Sequence, residues 1–170
     1  MDCCIDFKLV GDSDGDWVGD TDDRKSTTGF VFYMGDTAFT WTFKKQPIVI
    51  LSTCEAEYVV ATSSVCNAIW LRSLLKELQM LQEEVTKIFM DNKSALALAK
   101  NLVFHDCSKY INMRLHFIRE CLTRKEVHLE SMKSHDQVVD ILTKPLKYDT
   151  FNKLQVLLRV IKKTSLRGEY

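Results

Sequence analysis

Three aspartates alternate in the segment Gly11-Asp12-Ser13-Asp14-Gly15-Asp16-Trp17. In an extended segment, alternate side chains share one face, so Asp12, Asp14 and Asp16 would bring like charges together. That arrangement is unfavourable unless a cation lies among the carboxylates. Because carboxylate oxygens are preferred ligands of Mg²⁺ and Mn²⁺, the pattern indicates a divalent-metal site.

Three isolated acids further along the chain each stand where an apolar segment begins or ends: Glu55, Asp91 and Asp140. Acids at the ends of elements can converge on the same metal site. Each also has a structural interpretation. Glu55 would complete a capping box begun by Ser52, and Asp91 suits a helix N-cap. Asp140 could equally be a solvated acid on a helix surface, and Asp14 could be a solvated acid in a turn.

The first half of the chain predicts three strands and a long helix. Residues 6–12 form the first strand, and Thr28–Met34 and Thr37–Phe43 form a hairpin, in which Phe39 and Trp41 are core or half-buried. The helix begins after Ser52 and ends near Leu78. Its predicted buried stripe comprises Ala56, Val59, Val60, Trp70, Leu71, Leu74 and Leu78. Glu55 and Glu57 point to nearly opposite flanks of this stripe, so only one of them can face a given site.

The second half predicts a parallel α/β junction. Lys87–Met90 is a short buried strand that ends at Asp91 and is followed by a helix at 94–99. In parallel sheets of this kind, sites lie at the carboxyl ends of the strands. The remaining predicted elements are a helix at 114–124, a strand at 127–132, a helix at 137–142 and a last amphipathic helix at 149–161.

Composition indicates one domain over residues 1–165, with residues 1–5 and 163–170 frayed. The 170 residues include 23 basic and 23 acidic side chains, so bulk charge does not hold the chain on nucleic acid. No apolar run reaches the roughly 18 to 20 residues that span a bilayer. The acidic N-terminus has no apolar signal region. We therefore expect an intracellular protein, in either nucleus or cytoplasm, with no membrane partner.

Four motifs, in order, resemble the ribonuclease H domain of copia-type plant retrotransposon Pol polyproteins, detached here from its reverse transcriptase. The resemblance covers roughly residues 6–165. The motifs are Ser13-Asp14-Gly15-Asp16-Trp17 with Asp22–Gly29, Lys44-Lys45-Gln46-Pro47 with Leu51–Tyr58, Asp91-Asn92-Lys93-Ser94-Ala95, and Asp136–Leu146.

The resemblance implies an α/β fold of the ribonuclease H type: a five-stranded mixed sheet, three antiparallel strands followed by parallel strands, flanked by helices. It also implies a two-metal-ion endonuclease that hydrolyses the RNA strand of RNA–DNA hybrids. By motif position, the catalytic, metal-binding acids are Asp14, Glu55, Asp91 and Asp140. Together they would hold two Mg²⁺ or Mn²⁺ ions.

Further residues follow from the same resemblance. His135 corresponds to a loop histidine that helps proton transfer or product release, although it could also be an exposed residue beside an N-cap. Lys44, Lys45, Lys93 and Lys144 are candidate phosphate contacts of the hybrid, or else solvated surface charges. The reverse transcriptase domain of the parent polyprotein is the implied protein partner.

Three positions depart from the family pattern: Asp12 stands where an aromatic residue is usual, and Tyr110 and Asn112 replace a histidine and an aspartate. We expect Asp12 to perturb metal affinity, and the other two to alter packing or substrate handling. The polymerase that normally precedes this domain is absent from the sequence. A degenerate remnant that folds and binds nucleic acid without turnover is therefore the alternative function.

Overall fold

The computed structural model describes residues 8–16, 25–46, 52–93, 96–97, 109–133 and 136–159. Within these ranges the chain forms five strands and four helices with described bounds, and residues 93, 96 and 97 are also helical, whereas the rest of the helix predicted at 94–99 lies outside the described residues. In chain order they are β1 (Leu9–Asp16), β2 (Thr27–Met34), β3 (Thr37–Lys45), α1 (Thr53–Glu77), β4 (Thr86–Met90), α2 (Lys109–Thr123), β5 (Val127–Ser131), α3 (Asp140–Thr143) and α4 (Tyr148–Leu157).

The five strands form one mixed sheet in the order β3-β2-β1-β4-β5. Strands β1, β2 and β3 pair antiparallel, whereas β4 runs parallel to β1 and β5 runs parallel to β4. The mixed sheet that the resemblance implied is therefore confirmed. Because β1 and β4 are parallel neighbours, their carboxyl ends lie at the same edge of the sheet. Asp12 lies opposite Phe89, and the same offset brings residue 14 level with residue 91.

Helix α1 covers one face of the sheet. It begins as predicted, with the Ser52 hydroxyl accepting a hydrogen bond from the Glu55 backbone N–H at 3.1 Å. Its buried line runs through Val60, Ala68 and Leu75. The predicted stripe is wrong at its C-terminal end, where Trp70, Leu74 and Leu78 are exposed. The buried line advances in steps of three or four residues, and these three side chains fall beside it.

The segment at 136–159 covers the opposite face of the sheet. Val31 of β2 packs there against Val139 and Leu158. The predicted helix at 137–142 is shorter than expected and begins only at Asp140. Its expected first residue, Gln137, is instead buried and donates a hydrogen bond from Nε2 to the Ser13 carbonyl at 2.6 Å. This bond fastens the start of α3 to β1.

Two aromatic residues of β3 differ from expectation. Phe39 and Trp41, predicted to be core or half-buried, are 40% and 54% exposed. Both lie on β3, which is one of the two edge strands of the sheet. An edge strand has a strand neighbour on one side only, which removes one source of cover for its side chains.

Asp12 is buried in the middle of β1, on the face that α3 and α4 cover. Burial raises its pKa from 3.8 to about 6, and the neighbouring Tyr33 hydroxyl offsets only part of that rise. A carboxyl group whose pKa is raised by folding stabilises the protein when protonated, so this contribution is lost as the pH rises from about 4 to above 6.

Replacing Asp12 with Asn is therefore expected to raise the free energy of unfolding at pH 8 by up to about 3 kcal/mol, with much less effect at pH 4. Urea denaturation at the two pH values, in the presence of a chelator, measures the difference. Asp36→Asn is the control, since its side chain is 83% exposed. An equal effect of Asp12→Asn at both pH values would show that the ionised carboxylate is not the source of the instability.

None of the helices in the described ranges has both the length and the apolar character needed to cross a lipid bilayer. The expected frayed segments, 1–5 and 163–170, lie outside those ranges.

Candidate metal centre

Three carboxylates from three separate elements meet at the carboxyl end of β1. Asp14 comes from β1, Glu57 from the first turns of α1, and Asp91 directly follows β4. Each offers one oxygen, and the three oxygens all lie within 4.8 Å of one another. Asp14 and Glu57 are buried and Asp91 is half-buried. Such a spacing allows one divalent cation to contact all three residues.

Gly15 explains how Glu57 reaches the cluster. The Gly15 backbone N–H donates a hydrogen bond to Glu57 Oε1 at 3.3 Å. A Cβ atom on residue 15 would lie 2.8 Å from the Val60 side chain and 3.4 Å from Glu57 Oε1. The missing side chain therefore lets α1 pack close enough to β1 for the carboxylate to meet the strand.

Glu57 lies in an environment that is unfavourable for a charged carboxylate. Its Oε2 atom is buried and has no hydrogen-bond partner among the described residues, and the whole residue is only 5% exposed. Burial, followed by the charges of Asp14 and Asp91, raises the pKa of Glu57 to about 9. A buried acid next to two others is costly to ionise unless a cation compensates the charge.

Asp140 and Lys144 border the cluster on the α3 side. The Lys144 ammonium lies 2.7 Å from Asp140 Oδ1 and 3.1 Å from Asp14 Oδ1. The Thr143 hydroxyl donates a hydrogen bond to Asp14 Oδ2. Burial raises the pKa of Asp140, while Lys144 opposes that rise and the charges of Asp14 and Asp91 add to it. Asp140 therefore shares the electrostatic environment of the three-acid cluster.

In the structure Glu57, and not Glu55, lies among the other acids. The resemblance assigned Glu55, but among the described residues it is Glu57 that groups with Asp14 and Asp91. Two residues along a helix correspond to a rotation of about 200°. The two carboxylates consequently leave α1 on different sides. Glu55 lies in the first helical turn, where its backbone N–H bonds to the Ser52 cap. The sequence had already indicated that only one of the two glutamates could face the site, but not which one.

Close packing of α3 against the sheet brings Asp140 to the cluster. Gly29 of β2 lies directly opposite Asp14. A Cβ atom at position 29 would meet Thr143 Cγ2 at 2.5 Å and Val139 Cγ1 at 2.9 Å. The absence of a side chain at this position therefore admits α3, which carries Asp140 and precedes Lys144.

The other predicted site residues lie around this centre. His135 is outside the described residues. Lys44 and Lys45 are exposed at the end of β3, and Lys44 lies level with Gly15 across two strand spacings, roughly 10 Å. Lys93 is exposed, two residues after Asp91. The Lys144 ammonium group is held by Asp14 and Asp140.

Relatives of the chain are plant retrotransposon polyproteins. It is 39% identical over 150 residues to the retrovirus-related Pol polyprotein from transposon RE2 of Arabidopsis thaliana, an alignment that covers 88% of this chain and 10% of the relative. It is 38% identical over 143 residues to that from transposon TNT 1-94 of Nicotiana tabacum, covering 84% of this chain and 11% of the relative. The chain thus spans about a tenth of the length of these relatives. No family model matches it.

Solved structures similar to the chain include two ribonucleases H and a retroviral protease-reverse transcriptase. LC11-RNase H1, isolated from compost, has a TM-score of 0.60 at 12% identity, covering 86% of this chain and 96% of that chain. The N-terminal RNase H domain of a Mycobacterium tuberculosis protein has a TM-score of 0.56 at 15% identity, covering 88% and 97%. Prototype foamy virus protease-reverse transcriptase has a TM-score of 0.56 at 14% identity, covering 92% of this chain and 21% of that chain. The chain is therefore a ribonuclease H-fold homologue of one segment of the plant retrotransposon Pol polyproteins.

Proposed function

We propose that this chain is a retrotransposon-type ribonuclease H, a metal-dependent endonuclease that hydrolyses the RNA strand of RNA–DNA hybrids. The observation that carries the proposal is the meeting of Asp14, Glu57 and Asp91, whose carboxylate oxygens lie within 4.8 Å of one another. In the parent polyprotein this segment would work beside the reverse transcriptase, clearing template RNA.

The residues present fit Mg²⁺ or Mn²⁺. All the donors are carboxylate oxygens, which are the ligands that these ions prefer. Softer metal ions prefer nitrogen and sulfur ligands. Glu57 Oε2 is buried and has no hydrogen-bond partner among the described residues, and a bound cation would supply one. Asp14, Glu57 and Asp91 would hold one ion, and Asp140 would join them in holding a second. When bound, a pair of such ions activates a water and stabilises the departing 3′-oxygen of a phosphodiester.

The protein side of the mechanism is positioning. Thr143 and Lys144 orient the two oxygens of Asp14, and the Gly15 N–H orients Glu57. Exposed Lys44, Lys45 and Lys93 would contact phosphates of the hybrid. Selection of a hybrid over DNA would depend on the 2′-hydroxyl groups and on the shape of the groove.

A degenerate remnant that binds hybrids without turnover is the second candidate. One observation favours it: the Lys144 ammonium already neutralises part of the acidic centre, at 3.1 Å from Asp14 and 2.7 Å from Asp140. An immobile ammonium group at that position would keep a second divalent ion out.

The decisive experiment offers the purified chain a labelled RNA–DNA hybrid, double-stranded RNA and double-stranded DNA, with Mg²⁺, Mn²⁺ or a chelator. We expect cleavage of the RNA strand of the hybrid only, leaving 5′-phosphate and 3′-hydroxyl ends, and only with a divalent ion. Asp91→Asn should show no cleavage, and it also controls for contaminating nucleases. Retention of the hybrid in a gel-shift assay without cleavage would favour the remnant instead.

A further inference from the structure

One basic side chain is built into the acidic centre. The Lys144 side chain is 31% exposed, and its ammonium group lies 3.1 Å from Asp14 Oδ1 and 2.7 Å from Asp140 Oδ1. The Asp14 side chain that it contacts is only 1% exposed. Lys144 is therefore inserted between two of the four acids that the proposed function assigns to metal.

The local sequence places the lysine there. Asp140 and Lys144 are four residues apart, a spacing that puts them on the same side of α3, and the Lys144 N–H bonds to the Asp140 carbonyl at 3.0 Å. Lys144 then leaves the helical conformation, with φ −122° and ψ 146°. Pro145 follows it, and a residue before proline avoids the helical region. The end of the helix thus fixes the backbone of Lys144 beside the acids.

Both oxygens of Asp14 are occupied in this arrangement. Lys144 bonds to Oδ1 and the Thr143 hydroxyl to Oδ2. On the other side of the cluster, Glu57 Oε2 has no hydrogen-bond partner among the described residues. The centre therefore has one side with an unpartnered acceptor and one side already neutralised by an ammonium group.

Charge balance points in the same direction. When all four carboxylates are ionised, as metal binding requires, they carry four negative charges, and Lys144 offsets one of them. A single divalent ion leaves a net negative centre even with the lysine in place. A second ion would make the centre positive while Lys144 stays, but neutral once Lys144 has left. The charge of the ammonium group therefore opposes the binding of a second divalent ion.

We propose that Lys144 is a resident counter-ion that occupies the Asp14–Asp140 side of the centre and must be displaced before a divalent cation can use both of these carboxylates. The proposal rests on the proposed function. It makes the two metal positions unequal: the position next to Asp14, Glu57 and Asp91 fills with Lys144 in place, whereas the position next to Asp14 and Asp140 fills only in competition with it.

The test is Mn²⁺ binding, measured without substrate from the electron paramagnetic resonance signal of free Mn²⁺. The proteins are the full chain, Lys144→Met, Lys144→Arg and Lys147→Met, the last being a matched control at an exposed lysine three residues away. We expect the unmodified chain to bind one ion more tightly than the second. Lys144→Met should bind the second ion at least about tenfold more tightly, because a competing charge is gone. Lys144→Arg and Lys147→Met should each keep the weak second binding.

A second measurement uses the unmodified chain and does not depend on any variant folding. Reductive methylation followed by mass spectrometry reports how accessible each lysine amine is. Methylation of Lys144 should increase several-fold when Mn²⁺ is raised from the first to the second binding range, relative to that of Lys147. Unchanged methylation would overturn the displacement.

The outcomes separate the two proposals. Equal second-ion affinity in the unmodified chain and in Lys144→Met, or weaker affinity in the variant, would overturn the role of Lys144 and leave the proposed function standing. Absence of Mn²⁺ binding in all the proteins would overturn the metal-dependent function, and the role of Lys144 with it.

Discussion

Replacing Glu57 with Gln is expected to lower the rate of hybrid cleavage by about a thousandfold or more, whereas Glu55→Gln should leave it within about threefold of the unmodified chain. The reason is geometric, since only Glu57 groups with Asp14 and Asp91. Removing one ionised ligand weakens the hold on a cation whose stabilisation of the transition state amounts to several kcal/mol, and each 1.4 kcal/mol corresponds to about a factor of ten in rate.

The pair of variants makes this a matched comparison. Both changes replace a carboxylate with an amide of the same size, and both lie in the first turns of α1. Single-turnover cleavage of a labelled hybrid in Mg²⁺ gives the two rates. Circular dichroism establishes that both variants are folded. A large loss in Glu55→Gln with a small one in Glu57→Gln would restore the assignment made from motif position and contradict the geometry of the centre.

The same residue is expected to make the metal-free protein less stable as the pH rises. Burial and the neighbouring acids raise the pKa of Glu57 from 4.5 to about 9, so the folded protein keeps a proton that the unfolded chain releases. This stabilisation is complete below pH 4.5 and is lost progressively up to pH 9. The slope approaches about 1.4 kcal/mol per pH unit between these values.

Glu57→Gln removes that dependence, because an amide does not ionise. In the presence of a chelator, its melting temperature should exceed that of the unmodified chain by roughly 10–20 °C at pH 8, and by much less at pH 5. Functional sites often contain residues that lower the stability of the protein, since activity can require a locally unfavourable arrangement. Glu57, which lowers stability when it is ionised without a metal, fits this description.

Adding Mn²⁺ should reverse the order of the two melting temperatures, so that the unmodified chain melts higher than Glu57→Gln. The ionised carboxylate binds the cation, so the unmodified chain gains stability by mass action, and more so at higher pH. Glu57→Gln should gain much less. Thermal melting at several Mn²⁺ concentrations measures both effects, with Glu77→Gln as the control at an exposed position at the end of α1. If Glu57→Gln and the control respond alike to pH and Mn²⁺, Glu57 is not the group responsible.

Much of the architecture followed from local patterns. The hairpin about Gly35 and the Ser52 cap each depend on a few neighbouring residues, and each has the structure that the pattern predicted. The first strand was predicted at 6–12 but spans Leu9–Asp16, because its pairing with β2 continues to Asp16. The strand that ends at Asp91 was likewise predicted, and with it the parallel junction. The errors arose where burial depends on distant partners. Trp41 is exposed on an edge strand, and no local pattern of β3 reveals its place in the sheet.

The sequence by itself determined the acidic residues and their order, which resembles that of ribonucleases H, and predicted from them an oxygen-rich centre for a divalent ion. Only the tertiary structure decided which of Glu55 and Glu57 joins that centre, and that Lys144 lies inside it. The physical reason is that both answers depend on contacts between elements far apart in the chain. Gly15 lets α1 approach β1, Gly29 lets α3 approach the sheet, and the sum of these close approaches selects the side chains that meet.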